Sequence, residues 1–109
     1  MLSKVKRNFW LLTILIFLGI AAPISALQLP ENAIIIDVRS PKEFADNCNP
    51  ASINIPLDEL EKKISNMDKE QTVVVCCASG RRSSIATAIL KKHGFKNVVD
   101  AGSWRNTVL

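Results

Sequence analysis

TVVVCCASGRRSSIATAIL, residues 72–90, changes its periodicity halfway along. Thr72 to Val75 is a β-branched run and reads as a buried strand. From Ser83 onward, Ile85 and Ile89 share one face with Ala86 and Leu90 beside them, a helical spacing that runs to a stop at Gly94. Between strand and helix lies Cys77-Ala78-Ser79-Gly80-Arg81-Arg82. A cysteine that ends a strand and faces a helix N-terminus meets unpaired N–H groups and the positive end of the helix dipole. Both favour thiolate over thiol, as do two arginines in the same loop. Gly80 lets the backbone curl so that successive N–H groups point inward around an anion. These residues describe an activated cysteine at the bottom of an anion-binding loop.

The flanking sequence supplies the rest of an α/β domain. Ala33 to Val38 is almost wholly apolar and β-branched, as a strand buried on both faces must be. Ser40-Pro41-Lys42-Glu43 is a helix start, with Ser40 as cap, Pro41 at the first helical position and Glu43 completing a capping box. That helix ends near Asn47. Ser52 to Ile55 reads as a second strand stopped by Pro56, and Leu57 to Met67 as a helix with Leu57, Leu60 and Ile64 on its apolar face. Lys91, Lys92 and His93 occupy the last turn of the central helix, where cations suit the dipole, and Gly94 supplies its left-handed cap. Asn97 to Val99 is the last strand, and Gly102 to Leu109 a turn and short terminal segment. Strands alternating with helices predict a mostly parallel sheet covered by helices on both faces, a three-layer α/β domain. Active loops in such sheets lie at the carboxyl ends of strands, where Cys77 falls.

Residues 1–26 are expected to stand outside this fold as a signal peptide. Lys4, Lys6 and Arg7 form a basic start, Phe9 to Ile20 an apolar stretch, and Ile24-Ser25-Ala26 a small-residue cleavage signal before Leu27. The apolar stretch is short for a membrane span, and Pro23 would interrupt it. A retained N-terminal anchor is the other reading, and the only membrane association expected. The basic start would send the remainder of the chain across the membrane, so the expected location is the periplasm. Residues 27–109 then form a single domain, too short for a second. Eleven basic residues against ten acidic ones remain after Leu27, a net charge near +1 that gives no reason to expect nucleic acid as a partner.

Cys77-Ala78-Ser79-Gly80-Arg81-Arg82-Ser83 resembles the active-site loop of rhodanese-type sulfurtransferases, six residues headed by the nucleophilic cysteine. Upstream, Ile36-Asp37-Val38-Arg39, Glu43-Phe44 and Ile53-Asn54-Ile55-Pro56 resemble the same family's first-strand signature, in its order and at its usual separation. The resemblance covers roughly residues 33–104. It implies that the Cys77 thiolate takes the sulfane sulfur of thiosulfate as a persulfide and passes it to cyanide, a small thiol or a partner protein's cysteine. Ala78, Ser79, Gly80, Arg81 and Arg82 would hold the donor, with Asp37 and Arg39 as a supporting pair, and no metal or organic cofactor is implied. The chain departs from the family pattern at Asn47-Cys48-Asn49-Pro50-Ala51-Ser52, where Cys48 replaces a usual histidine.

Two other readings remain open on sequence. Cys76 to Arg82 satisfies C-x5-R, the larger loop of cysteine phosphatases and arsenate reductases, so the register of the loop distinguishes sulfur from phosphate or arsenate. A non-catalytic sulfur carrier using Cys48 with Cys76 or Cys77 is the third. Cys76 is read as a strand residue facing away from the loop, His93 as a helix-terminal cation and Trp104 as an aromatic packed on the core.

Overall fold

Ile34–Asp37 (β1), Ser52–Asn54 (β2), Val73–Cys77 (β3) and Val98–Ser103 (β4) form one sheet in the order β2-β1-β3-β4. Every pairing in it is parallel. The computed structural model describes residues 29–108, and the expected leader lies outside them. Between the strands come Pro41–Asp46 (α1), a 3-10 turn at Leu57–Glu59 running into Leu60–Ile64 (α2), and Arg81–Lys92 (α3). A second 3-10 turn, Trp104–Thr107, follows β4.

The sheet splits the core by the parity of its strands. Ile36, Val73, Val75 and Cys77 face one layer, where Leu60 and Ile64 of α2, Ala86 and Leu90 of α3, and Phe95 close over them. Ile35, Val74 and Cys76 face the other layer, covered by Ala101 and Trp104 with Leu29 at its edge. Full burial of an aliphatic side chain is worth about 1.5–3 kcal/mol, so the first layer holds most of the apolar stabilisation. The α/β class expected from the sequence is the one observed. The second face, however, is covered by the short turn carrying Trp104 rather than by a long helix.

The strand before the loop runs through Cys77, the residue expected to end it, because both cysteines pair with β4. Two element boundaries differ from expectation. β4 extends to Ser103, past its expected end at Val99 and through Gly102, where a turn was expected to begin. Val75 pairs with Asp100 and Cys76 with Gly102, which leaves Ala101 as the extra residue of a bulge. The helix expected over Leu57 to Met67 is a 3-10 turn followed by five α-helical residues. The Ser40–Glu43 capping box is present in both directions.

α3 ends in a Schellman motif. Phe95 N–H donates to the Leu90 carbonyl at 3.1 Å and Gly94 N–H to the Lys91 carbonyl at 3.0 Å, while Phe95 and Leu90 are buried in the same layer. Gly94 has φ +90°, and nothing lies within 4 Å of a Cβ built there. Gly94→Ala is therefore expected to cost backbone strain alone, about 1–2 kcal/mol. For a domain of this size that lowers the thermal midpoint by roughly 4–8 °C per kcal/mol. Gly94→Asn, which tolerates the left-handed region, should lose clearly less. Thermal unfolding followed by circular dichroism checks both, and equal midpoints for wild type and Gly94→Ala would show that the cap is not held.

Candidate active site

Cys77 is the last residue of β3, and α3 starts four residues later. The intervening backbone turns back under Gly80, whose φ of +104° puts it in the left-handed region at the helix N-cap. That turn aims Gly80 N–H at the Cys77 sulfur, 3.0 Å away. Gly102 of β4 lies opposite: a Cβ on Gly80 would stand 3.7 Å from the Gly102 Cα, an ordinary van der Waals contact, so the constraint on Gly80 is its positive φ.

Burial pushes the Cys77 thiol up, since only 1% of the residue is exposed. Hydrogen bonding outweighs it. The Ser83 hydroxyl and the backbone N–H groups of Ser83, Gly80 and Ser79 face the sulfur, and together they bring the thiol below its ordinary range. The Ser83 hydroxyl also stands 3.1 Å from the Gly80 carbonyl, so its single proton is shared between that carbonyl and the sulfur and turns to the sulfur when Cys77 is ionised. Cys76 is the opposite case. Buried among Ile35, Val74 and Trp104, it is pushed up to about 12 by desolvation first and then by the Asp37 carboxylate. The C-x5-R register headed by Cys76 therefore places no nucleophile in the loop: that thiol faces the other layer and stays protonated.

The two arginines have different situations. Arg81 is exposed, and among the described residues it takes part in no ion pair. Arg82 is engaged by Glu43 in a two-pronged pair, with Nη1 to Oε1 at 2.7 Å and Nη2 to Oε2 at 3.0 Å. Arg82 also lines a cleft of about 350 Å³ with Val38, Ser40, Pro56, Leu57 and Asp58. Ala78 is half-buried and Ser79 exposed at the rim.

Asp37 and Arg39 form a buried fork. Arg39 Nε donates to both carboxylate oxygens at 3.0 Å and Nη2 to Oδ2 at 2.8 Å. Arg39 also holds the Asn47 carbonyl at 2.7 Å and lies over the Trp104 ring at 5.1 Å. The pair braces the β1 end of the site and does not reach the sulfur. Cys48 is half-buried, and all three cysteines are free thiols. Sequence reading missed Ser83 as a partner of Cys77 and Glu43 as the partner of Arg82. Ser83 could have been found, because a hydroxyl in the first helical turn faces the loop. Glu43 read only as a capping residue, 39 positions away from Arg82.

A thiol with a lowered pKa, cradled by backbone N–H groups at the carboxyl edge of a parallel sheet, is an arrangement suited to covalent cysteine chemistry. The chain belongs to the rhodanese-like domain family, whose model matches residues 23–106. It is similar to a thiosulfate sulfurtransferase, PspE, of Escherichia coli, at 37% identity over 68% of this chain and 73% of that one. It is equally similar, at 37% identity over 64% of this chain, to a putative sulfur carrier protein, YrkF, of Bacillus subtilis. A putative mitochondrial thiosulfate sulfurtransferase of Schizosaccharomyces pombe is 36% identical over 68% of this chain. The matches span only 38% of the Bacillus protein and 62% of the fission-yeast one. Among solved structures, a rhodanese with anions from E. coli superposes with a TM-score of 0.66 at 35% identity, over 71% of this chain and 93% of that one.

Iodoacetamide should label Cys77 at pH values below the range of a free thiol, with the rate rising as pH passes up through its lowered pKa, and Cys76 should resist until the protein unfolds. Ser83→Ala removes one hydrogen bond to the thiolate, an interaction worth roughly 1.5 kcal/mol, and should slow labelling at neutral pH about tenfold. Peptide mapping of the alkylated sites against pH reads both effects.

Proposed function

We propose that this protein is a sulfurtransferase that carries sulfane sulfur as a persulfide on Cys77. The observation that supports it most directly is the Gly80 N–H on the Cys77 sulfur at 3.0 Å, which marks Cys77 as the group for which the loop is built. With thiosulfate as donor, the thiolate attacks the outer sulfur and forms a new S–S bond. The old S–S bond breaks and its electron pair leaves with sulfite. The product is a Cys77 persulfide anion, so charge is conserved and no proton is required. An acceptor thiolate or cyanide then attacks the outer sulfur of the persulfide, taking it as a persulfide or as thiocyanate and returning the Cys77 thiolate. This is nucleophilic catalysis with a preorganised anion site. Ala78, Ser79 and Gly80 contribute backbone to the cradle, and Arg81 is the cation free to meet the incoming donor. Asp37 and Arg39 keep the β1 end of the site rigid.

The similarity to a sulfur carrier supports a second reading, in which the same persulfide forms but is delivered stoichiometrically to a partner protein's cysteine. Both readings share their first step and differ in turnover. We further propose that residues 1–26 are removed on export and that the domain works in the periplasm, on the tripartite pattern of the leader.

Mass spectrometry after incubation with thiosulfate should show one added sulfur on the peptide carrying Cys77 and none in Cys77→Ser. Repeated thiocyanate release on adding cyanide identifies the enzyme, whereas a single equivalent identifies the carrier. An added sulfur on the peptide of Cys77→Ser would refute the assignment of the nucleophile. The amino terminus of protein secreted by its native host should be Leu27, and intact Met1 in a membrane fraction would show an anchored form instead.

A further inference from the structure

Glu43 puts a carboxylate on Arg82, the last residue of the Cys77 loop. Glu43 is the third residue of α1, a helix with no buried side chain, so apolar packing does not explain where α1 is held. What fixes it is polar. Glu43 Oε1 accepts from Ser40 N–H at 3.1 Å, from the Ser40 hydroxyl at 3.0 Å and from Arg82 Nη1 at 2.7 Å, while Oε2 takes Arg82 Nη2 at 3.0 Å. The side chains of Arg82 and Glu43 remain 35% and 38% exposed, so the pair stands at the surface of the loop and not beneath it. Arg82 and Ser40, both hydrogen-bonded to Glu43, line the cleft beside the loop, so Glu43 acts on that wall through its two partners.

We propose that Glu43 is a specificity-determining residue that, by compensating the charge of Arg82 beside the Cys77 loop, biases the site toward monoanionic sulfane-sulfur donors and away from dianionic thiosulfate. The inference rests on the sulfurtransferase reading. It follows from where the charges stand. Of the two loop arginines only Arg81 is unpaired among the described residues, and the Cys77 thiolate offsets its charge, so an incoming donor meets little net charge beyond the neutral N–H cradle. A carboxylate fixed near the binding site repels a dianion twice as strongly as a monoanion at the same position. Glu43 is ionised throughout the physiological range, held at about 2 by the Arg82 hydrogen bonds first and by Ser40 second. Its charge is thus a constant feature of the site. Suitable monoanionic donors are thiosulfonates and low-molecular-weight persulfides. With a thiosulfonate, the Cys77 thiolate takes the outer sulfur, the S–S bond to the sulfonyl group breaks, and a sulfinate anion leaves with the electron pair.

The test compares kcat/KM for thiosulfate with kcat/KM for benzenethiosulfonate, using cyanide as acceptor. Glu43→Gln keeps an oxygen for Ser40 and for Arg82 but removes the charge. The thiosulfate-to-thiosulfonate ratio should rise about two- to fivefold at low salt, as expected for one partly screened charge several ångströms from the donor. The increase should collapse near 1 M salt, where the screening length falls to about 3 Å. Arg82→Gln, which leaves Glu43 unpaired, should move the ratio the other way, and the double variant should return it toward wild type. A ratio unchanged in both single variants, or a change indifferent to salt, would overturn the proposal and leave Glu43 as a helix cap. Absence of turnover with either donor in the wild-type protein would instead refute the underlying sulfurtransferase reading. Thermal midpoints of the variants separate a folding defect from a charge effect, and the Arg82→Gln arm stands if Glu43→Gln does not fold.

Discussion

A fully buried carboxylate, Asp37, organises the end of the sheet where the candidate site lies. Burying an ion is costly unless every lone pair has a partner, and Asp37 meets that condition through the backbone N–H of Arg39 and through its guanidinium fork. The fork is then committed, and its remaining capacity is used to position other segments. Arg39 Nη2 holds the Asn47 carbonyl where α1 ends, and the guanidinium plane supports Trp104, whose other contact of this kind is Arg105 at 4.9 Å. The backbone of the same stretch accepts from Asn54, at the Asp37 carbonyl (3.0 Å) and the Arg39 carbonyl (2.9 Å). The ion pair thus ties β1 to the segment after α1 and to the covering turn, while the backbone of the same two residues holds the end of β2. Breaking such a pair by removing one partner typically costs about 3–5 kcal/mol, a large part of the stability of a small domain.

Rigidity at that end matters because the loop beside it has no stabilising core of its own. Its order comes from the strand before it, the helix after it and the Gly80 N–H on the Cys77 sulfur. Val38 N–H bonds the Cys76 carbonyl at 2.9 Å, so the braced end of β1 is joined directly to the last residues of β3. A second tie crosses the chain at Asn49. Its side-chain amide bonds the carbonyl and hydroxyl of Thr107, both at 3.0 Å, and fixes the covering turn against the segment before β2. With Trp104 held from both directions, the face behind Cys76 is closed by a single turn, where a helix would otherwise be needed.

Much of this was legible in the sequence because it is local. The change of period around Ser83, the capping box from Ser40 to Glu43 and the glycine after His93 each depend on residues a few positions apart, and each is where it was expected. The opposed directions of Cys76 and Cys77 also follow from strand parity alone, once the strand is known to reach them. What the sequence hid depends on distance or on irregularity. Asp100 and Gly102 carry turn chemistry, yet they belong to a bulged strand, because pairing with Cys76 and Cys77 overrides local preference. The Asn49 tie spans 58 positions and the Glu43–Arg82 pair 39, with no periodic signal to announce either. Arg82 therefore read as a free cation of the loop, although most of its charge is already answered.

The contrast between Cys76 and Cys77 shows how little sequence separation a functional distinction requires. The two thiols are chemically identical and adjacent, and both are almost wholly buried. Burial alone would raise both, and it does raise Cys76, which has an apolar layer around it and the Asp37 charge nearby. Cys77 differs only in which face of the strand it occupies. On that face the strand ends against a helix N-terminus, and N–H groups left without partners by the start of α3 converge on its sulfur. The same termination that would be a liability in a buried helix end becomes the source of the thiolate. Extending β3 by one residue before the loop would exchange the faces and pass the low-pKa position to a different side chain. The register of the strand, more than the presence of a cysteine, determines which thiol faces the loop's N–H groups.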